Sequence, residues 1–441
     1  MKARKIFGRI LLYLLAVLTI GLLVRAFFNY RMGNKLEEYI GNRQAEGVAL
    51  SRKALMPDCS DAENGANLWR AAEALYSREG LNVALLRDAM ESIFYGKPFE
   101  PGVRDELKGM IGKNTRVFQF MEEASEKSCF RYGDWSQKIY DIKIPDAVKM
   151  INAVRLLGID AVFKAEEGKI QEAIDQIRWG ICLVQKTMDE PFTITGLVAI
   201  ANLKHLIFSL NQITSGRNID PEILSILIQD LNPGEWRKKF ARNIQGERAF
   251  YLEIALGVLE GDRTIFNISQ AENTFFWFIR PVIKAETLWA LKKYDDVESQ
   301  SLLPFYKVKE FQREFDQEVE SIPWYYYVAK NVFPNFHAMW LKEAILEAVM
   351  GGGQIALACK IYKNQEGHFP ENIAELIPGI LAEEPVDPFT GDPFIYKLQE
   401  NGFVVYSVGS NEKDDEGRAT YQVTKLVMEK DDDWPWRERT K

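Results

Sequence analysis

The chain has 441 residues, of which 63 are acidic and 55 are basic, and its formal charge is −8. A hydrophobic fraction of 47% excludes a wholly disordered chain, and the length suffices for two or three domains. Most of the acidic excess lies from Glu366 to Lys441, where there are 17 acidic and 8 basic residues. The near-neutral remainder lacks the basic surface that nucleic acid binding requires, so nucleic acid is not an expected partner.

The N-terminal segment predicts a membrane anchor. An uncharged apolar run extends from Ile10 to Val24, follows the basic residues Lys2, Arg4, Lys5 and Arg9, and is closed by Arg25. Residues 6–24 are long enough to cross a bilayer if Arg9 reaches the headgroups. The residues after the run, LLVRA at 22–26, lack the small-residue pattern of a signal-peptidase site, so we expect an uncleaved anchor. A soluble protein with a buried N-terminal helix is the alternative.

Basic residues are more numerous before the apolar run than after it, which favours an N-terminus inside and a body outside. We therefore assign residues 1–30 to a single-pass anchor in the cytoplasmic (inner) membrane. The lipid bilayer is the expected partner of residues 6–24. No second span is expected, because residues 194–203 end at Lys204 and residues 274–291 contain Arg280, Lys284 and Glu286.

Residues 31–349 have a helical pattern and predict an α-helical body. Helices are expected at 64–75, 145–166, 169–184 and 191–213, and another begins at Asp220-Pro221. Loops as short as those between them favour antiparallel helical hairpins. Residues 161–173 look like the helix–turn–helix of a tetratricopeptide repeat, but the period is not repeated. A peptide-binding solenoid and a plain hairpin both remain open.

The four cysteines, Cys59, Cys129, Cys182 and Cys359, are widely spaced and form no C-x-x-C motif. This spacing predicts neither a zinc site nor a dense disulfide framework, and it leaves open whether any of them pair. Cys182 and Cys359 lie in apolar helical stretches, where a buried free thiol is expected.

Two segments, 262–283 and 324–340, are dense in aromatic residues. Such segments can form a surface that faces a partner or a bilayer. Burial in a large helical core is commoner and is the expectation here.

The pattern changes near Gly351-Gly352-Gly353, which we interpret as a hinge. After it we expect a helix at 354–364, a short helix at 373–376, and a hairpin of 393–398 and 403–407 around the turn 399–402. A third strand is predicted at 420–428. The fold class is therefore α+β, predominantly helical, with an appended module at 350–429 that contains a three-stranded antiparallel sheet. Residues 430–441 are interpreted as a charged, frayed tail.

Within residues 354–417 several motifs follow in a fixed order, namely IYK at 361–363, GHFP at 367–370, PVDP at 385–388, GDPFIY at 391–396 and GFVVYSVGSN at 402–411. In order and spacing this set resembles the globular end of type II secretion major pseudopilins. The chain is also similar to uncharacterised membrane-anchored bacterial proteins that carry such a module after a helical body. The resemblance implies a layout and a module fold, and no activity.

The pseudopilin resemblance also implies calcium in the loop 409–417. Calcium takes several oxygen ligands, and the matching positions are Asn411, Asp414 and Asp415. The loop is shorter than in that family and contains Lys413, so a solvated acidic turn is the alternative. The N-terminus lacks the leader and cleavage order of pseudopilins, and a filament subunit is therefore not expected.

No catalytic residue is predicted. The three histidines, His205, His337 and His368, lack metal-site spacing, and no phosphate-binding loop or nucleophile motif is present, so no nucleotide is expected. The acids Glu247, Glu253 and Glu260 lie at near-helical spacing and are interpreted as an ion-paired helix face near Arg242 and Arg248. We expect a non-enzymatic envelope scaffold or interaction protein with protein partners, associated with a secretion or pilus-like system. An exported hydrolase with a carboxylate site in the helical body is the alternative.

Overall fold

The computed structural model describes residues 2–56, 58–76, 82–138, 141–266, 269–421 and 430–439. It is mostly helical with a small three-stranded antiparallel sheet, as the sequence predicted. The first helices are α1 Lys2–Ala45, α2 Arg52–Leu55, α3 Gly65–Leu75, α4 Val83–Tyr95, α5 Pro101–Lys113, α6 Thr115–Ser125, α7 Ala147–Glu166 and α8 Ile170–Thr187. They are followed by α9 Thr193–Thr214, α10 Pro221–Asp230, α11 Pro233–Glu260, α12 Gln270–Phe278, α13 Arg280–Gln300, α14 Phe305–Glu320, α15 Tyr327–Val332 and α16 Phe336–Glu366. The strands are β1 Ile395–Gln399, β2 Gly402–Ser407 and β3 Trp434–Arg439.

Helix α1 has two parts with different surroundings. Residues 6–24 are exposed along their whole length, whereas the later turns pack on α13. There Leu36 joins Leu50, Leu252 and Leu291 in a small buried cluster. One uninterrupted helix therefore connects the protruding apolar segment to the surface of the body.

By length and composition, three helical segments of the described chain could cross a membrane: Ile6–Ala45, Thr193–Thr214 and Tyr327–Glu366. The apolar windows of the second and third are 78% and 94% buried within the protein, whereas that of the first is 0% buried. Since α9 and α16 use their apolar surface to pack the core, α1 is the segment whose apolar surface is left for a bilayer.

Helices α7, α8 and α9 pack against one another at the centre of the body. The turn between α7 and α8 is made at Gly168, whose φ of +86° suits glycine, and Ala173 on α8 is fully buried. This is the helix–turn–helix geometry expected for residues 161–173. Helix α10 begins as predicted, with the Asp220 side chain accepting the Glu222 N–H at 2.8 Å and proline in the first turn.

The three glycines at 351–353 lie inside α16 and do not form the hinge that we expected. A Cβ on Gly351 would lie 2.8 Å from the Phe394 ring, and one on Gly353 would lie 2.9 Å from both Leu231 and Trp436. The glycines therefore let the module's aromatic side chains and α10 approach the helix closely. The boundary that we placed at 349/350 falls within this continuous helix.

The third strand of the sheet also differs from the prediction. Thr420 and Tyr421 lie outside any strand, and the rest of the predicted strand, 422–428, lies outside the described residues. Instead β3 is formed by Trp434–Arg439, which pairs antiparallel with β2 and which we had interpreted as part of a frayed tail. The segment is ordered because its alternate residues Trp436 and Glu438 are buried at 3% and 6% exposure. The β1–β2 hairpin is present around residues 399–402.

Cys59 and Cys129 form a disulfide with a Cα–Cα distance of 5.9 Å, which resolves the pairing that the sequence left open. The bond joins the segment before α3 to the segment after α6, across 70 residues of sequence. Cys359 is a buried free thiol, as expected, and Cys182 is free and partly buried.

Candidate functional site

The loop 409–417 is a compact acidic turn stabilised by hydrogen bonds within the module. Asn411 Nδ2 donates to Asp415 Oδ2 at 2.9 Å, so two of the three predicted calcium ligands are in contact. The Asp414 carboxylate has other partners, since its Oδ1 accepts the Tyr406 hydroxyl at 2.8 Å and its Oδ2 is 3.7 Å from Lys397 Nζ. The structure thus brings together Asn411 and Asp415 but not Asp414.

Two carboxylates that the sequence analysis did not select complete this acidic turn. Asp432 Oδ2 accepts the Ser410 hydroxyl at 2.6 Å and the Asn411 N–H at 3.0 Å, and Asp433 Oδ2 accepts the Gly417 N–H at 2.6 Å. Both precede β3 in the stretch interpreted as a tail. The run of three aspartates at 431–433 was the sequence feature that could have indicated further cation ligands. Burial, reinforced by the charges of Asp415 and Asp414, raises the pKa of Asp433 to about 7.

In the described part of the chain, no three His, Cys, Asp or Glu side chains are arranged to hold a metal ion. Asp415 Oδ2 already accepts the Asp432 N–H at 3.1 Å, so a cation here would compete with the existing hydrogen bonds. Oxygen donors of the kind that calcium prefers are nevertheless concentrated here. The calcium site stays a prediction.

Glu253 and Arg248 of α11 form ion pairs with residues outside their own helix. Both carboxylate oxygens of Glu253 accept hydrogen bonds from the Arg52 guanidinium, with Nη2 to Oε1 at 2.7 Å. Arg248 is almost fully buried and lies 2.9 Å from Asp295 and 2.6 Å from Glu298, both on α13. The predicted ion-paired face of α11 is therefore wrong, because Glu253 pairs with Arg52 on α2, Arg248 pairs with acids of α13, and the Arg242 guanidinium donates to the Leu55 carbonyl.

An open cleft of about 360 Å³ lies beside Glu253. Glu260 and Asp262 also line it, and Asp262 Oδ2 is 2.6 Å from Lys138 Nζ. Glu247 is absent from the lining of this cleft and accepts the Thr193 N–H at the start of α9, at 2.9 Å. The three acids that the alternative hydrolase hypothesis considered are therefore not gathered in one place.

Each of the three histidines contacts a neighbouring protein group. His205 is buried between helices and its Nε2 accepts from Arg155 Nε at 3.0 Å. His368 is exposed in the turn after α16, with Nδ1 3.0 Å from the carbonyl of Phe369. At the start of α16, His337 Nδ1 lies 2.9 Å from the carboxylate of Asp316 on α14. His205 therefore belongs to the helical core, whereas His337 and His368 make surface contacts.

The end of the apolar run is fixed to the body by Arg25. Its Nε donates to the Phe278 carbonyl at 2.9 Å, and its guanidinium also contacts the Trp277 carbonyl. The same guanidinium lies 4.0 Å from the centroid of the Trp277 ring, within cation–π distance. Four residues further along α1, the carbonyl of Asn29 accepts from Lys284 Nζ at 3.2 Å. The body therefore begins where the apolar run ends.

Searches against protein-family models, curated proteins and solved structures found no match to the chain.

Proposed function

We propose that the protein is a membrane-anchored extracytoplasmic scaffold or protein-interaction protein of the cell envelope, in an assembly such as a secretion or pilus-like system. The observation that carries this proposal is α1. It presents an unburied apolar segment and then continues without a break onto α13. Anchoring through such a helix would hold the body at a defined position beside the membrane.

Contacts along the later turns of α1 support a rigid connection. Arg43 Nη2 lies 2.9 Å from Asp295, and the Tyr39 hydroxyl donates to the same carboxylate. Asp295 in turn accepts from buried Arg248 on α11. A helix joined to two others in this way fits a scaffold better than it fits a flexible tether.

The disulfide supports the proposed location of the body. Structural disulfides persist in oxidising compartments outside the cytoplasm and are rare within it. A body carrying the Cys59–Cys129 bond would therefore lie outside, with the N-terminus inside.

We further infer that the C-terminal part is a pseudopilin-like module. A long helix leads into a short 3-10 turn at Ile373–Leu376 and then into an antiparallel sheet of order β1-β2-β3, which is the order of elements that the resemblance implies. Strands β2 and β3 pack on α16, the helix that continues from the body into the module.

We favour an interaction role over the carboxylate-based hydrolase. In glycoside hydrolysis one carboxyl group must exchange a proton with the leaving group. Both oxygens of Glu253, one of the acids that line the cleft, are held by Arg52. Such an ion-paired carboxylate is poorly suited to act as a general acid.

Cysteine alkylation of the full chain in its membrane tests the proposed location. If the body is exported, denaturation without reductant should expose only Cys182 and Cys359, and reduction should add Cys59 and Cys129. A Cys59→Ser variant is the control, because it should make Cys129 reactive without reductant. Four reactive cysteines in the unreduced wild type would contradict the extracytoplasmic assignment.

Crosslinking tests the interaction role separately. Mild crosslinking of the anchored full chain, followed by purification, should recover defined envelope proteins in fixed proportion. A chain that stays monomeric and uncrosslinked across growth conditions would contradict the scaffold proposal, whatever its topology.

A further inference from the structure

Helix α12 is a short aromatic helix that leaves much of its apolar surface uncovered. Its last four residues, Phe275 to Phe278, are all aromatic. Phe276 is buried, whereas Phe275, Trp277 and Phe278 are 55%, 47% and 56% exposed. The expectation that the segment 262–283 is buried in the core is therefore wrong for three of the four aromatic residues that lie in α12. Contiguous exposed apolar surface of this kind usually marks a contact site.

A second exposed aromatic pair ends two residues before Tyr327, which packs on this helix. Trp324 is 81% exposed and Tyr325 is 48% exposed, just before α15. The next segment returns to α12, since the Tyr327 and Phe276 rings pack edge to face with centroids 5.0 Å apart. The two aromatic segments identified in the sequence are therefore in contact, through Phe276 and Tyr327.

The position of α12 relative to α1 indicates what covers this surface. Arg25, the first charged residue after the apolar run, is hydrogen-bonded to the carbonyls of Trp277 and Phe278. If residues 6–24 lie in the hydrocarbon region, Arg25 lies where the hydrocarbon gives way to headgroups. The C-terminal end of α12 must then lie at the same depth.

The chemistry of the exposed side chains matches that depth. Tryptophan and tyrosine concentrate at membrane–water boundaries because their rings are apolar and carry a polar group. Short helices with one apolar face bind there by burying that face among headgroups and upper acyl chains. Phe275 and Phe278 would supply the apolar part, and Trp277, Trp324 and Tyr325 the boundary part.

We propose that α12, together with Trp324 and Tyr325, is a second membrane contact that lies in the outer interface of the bilayer spanned by α1. We call this surface the aromatic platform. The inference rests on the proposed anchoring through α1 and adds to it a surface that fixes the orientation of the body. The occupant is the phospholipid interface, not a partner protein or a second copy of the chain.

Photolabelling of the full chain in phospholipid nanodiscs tests the aromatic platform. One lipid probe carries a diazirine near the glycerol level and another carries it near the chain terminus. Peptides from residues 6–24 should be labelled by both probes, whereas the peptide containing residues 275–278 should be labelled by the shallow probe alone. In a variant that combines Phe275→Ser, Trp277→Ser and Phe278→Ser, the peptide containing residues 275–278 should no longer be labelled. Peptides from residues 6–24 should still be labelled by both probes.

Leu398→Ser is the matched control, since Leu398 is also about half exposed but lies on β1, and its labelling pattern should be that of the wild type. Labelling of α1 without labelling of α12 would overturn the aromatic platform and leave the anchor intact. Crosslinks from α12 to a second copy or to another protein, in place of lipid, would overturn it as well. If α1 itself remains unlabelled, the anchoring proposal fails and the aromatic platform fails with it.

Discussion

Lys360 Nζ lies 2.7 Å from Glu438 Oε1, and both side chains are buried where α16 meets β3. The same glutamate oxygen accepts the Gly216 N–H, at 3.0 Å, from the loop after α9. One buried ion pair therefore connects the last strand, the long helix and the helical body. Because each charge is away from water, its partner is needed to offset the loss of hydration.

Lys360→Met should destabilise the protein by about 3–5 kcal/mol, because it leaves Glu438 buried without its cation. Urea unfolding of the detergent-solubilised chain would measure this. Adding Glu438→Leu to the same chain should recover most of the loss, since an apolar pair of similar volume is often neutral.

The control for this experiment is Lys397→Met, whose lysine is about half exposed and 3.7 Å from Asp414. Surface pairs of this kind contribute about 0–1 kcal/mol, so the change in the free energy of unfolding should be small. Equal effects at Lys360 and Lys397 would contradict a buried role for β3.

Gly353→Ala should destabilise the protein by about 1–3 kcal/mol, because the added methyl would meet Leu231 and Trp436 at 2.9 Å. Gly352→Ala is a matched control one residue away, where the nearest atom would be 3.8 Å distant. That variant should be neutral or stabilise the helix by up to about 1 kcal/mol. Thermal melts of both variants would measure the difference. Loss of stability in Gly352→Ala but not in Gly353→Ala would contradict the packing described here.

The same residues show what could be predicted from the sequence. Helix starts such as Asp220-Pro221 depend on neighbours in the chain, and their local pattern was sufficient to identify them. The role of Gly353 depends on Trp436, 83 positions away, and no local pattern contains that contact. The charged residues among 434–439 suggested a solvated tail. Glu438 is buried there because it pairs with Lys360, a contact that the local sequence does not show. Tertiary packing overrode local propensity at Gly353 and at residues 434–439, but not at the start of α10.

The candidate site was predicted less completely than the fold. Asn411 and Asp415 were identified through the resemblance and lie in contact. Asp432 and Asp433 were missed, because the order of the chain does not show that the segment before β3 returns to the loop 409–417. The aromatic residues of α12 were noticed, but composition alone could not separate a helix buried in the core from one that leaves three aromatic rings exposed.

Glu286 should make the stability of the protein depend on pH. Its side chain on α13 is fully buried, and this burial raises its pKa to about 7, partly opposed by the N–H groups of Ala329 and Val328. Between the unfolded value of 4.5 and a pH of about 7, the folded state keeps a proton that the unfolded state releases. Stability from this group is therefore fully present below pH 4.5 and is lost as the pH rises through 7.

Glu286→Gln removes the ionisation while keeping an oxygen that can accept the Ala329 N–H. The difference in unfolding free energy between this variant and the wild type should shift by about 3 kcal/mol in favour of the variant from pH 4.5 to pH 8. Denaturant unfolding at several pH values would measure it. Glu310→Gln, at an 81% exposed position on α14, should show no such shift. A constant difference for Glu286→Gln would rule out a raised pKa at this position.

Calcium should stabilise the protein if the loop 409–417 binds it, since Asp432 and Asp433 lie close to Asp415 and a cation would offset the repulsion of their charges. At about 100 times its dissociation constant calcium would add about 2.7 kcal/mol, which a thermal melt against chelator can detect.

Asp415→Ala should abolish the difference in melting temperature between calcium and chelator. Asp414→Ala alone should preserve it, because Asp414 is held by Tyr406 and Lys397. Glu416→Ala, at a 73% exposed position, should leave it unchanged. Equal melting temperatures with calcium and with chelator would identify the loop as a hydrogen-bonded turn that binds no calcium.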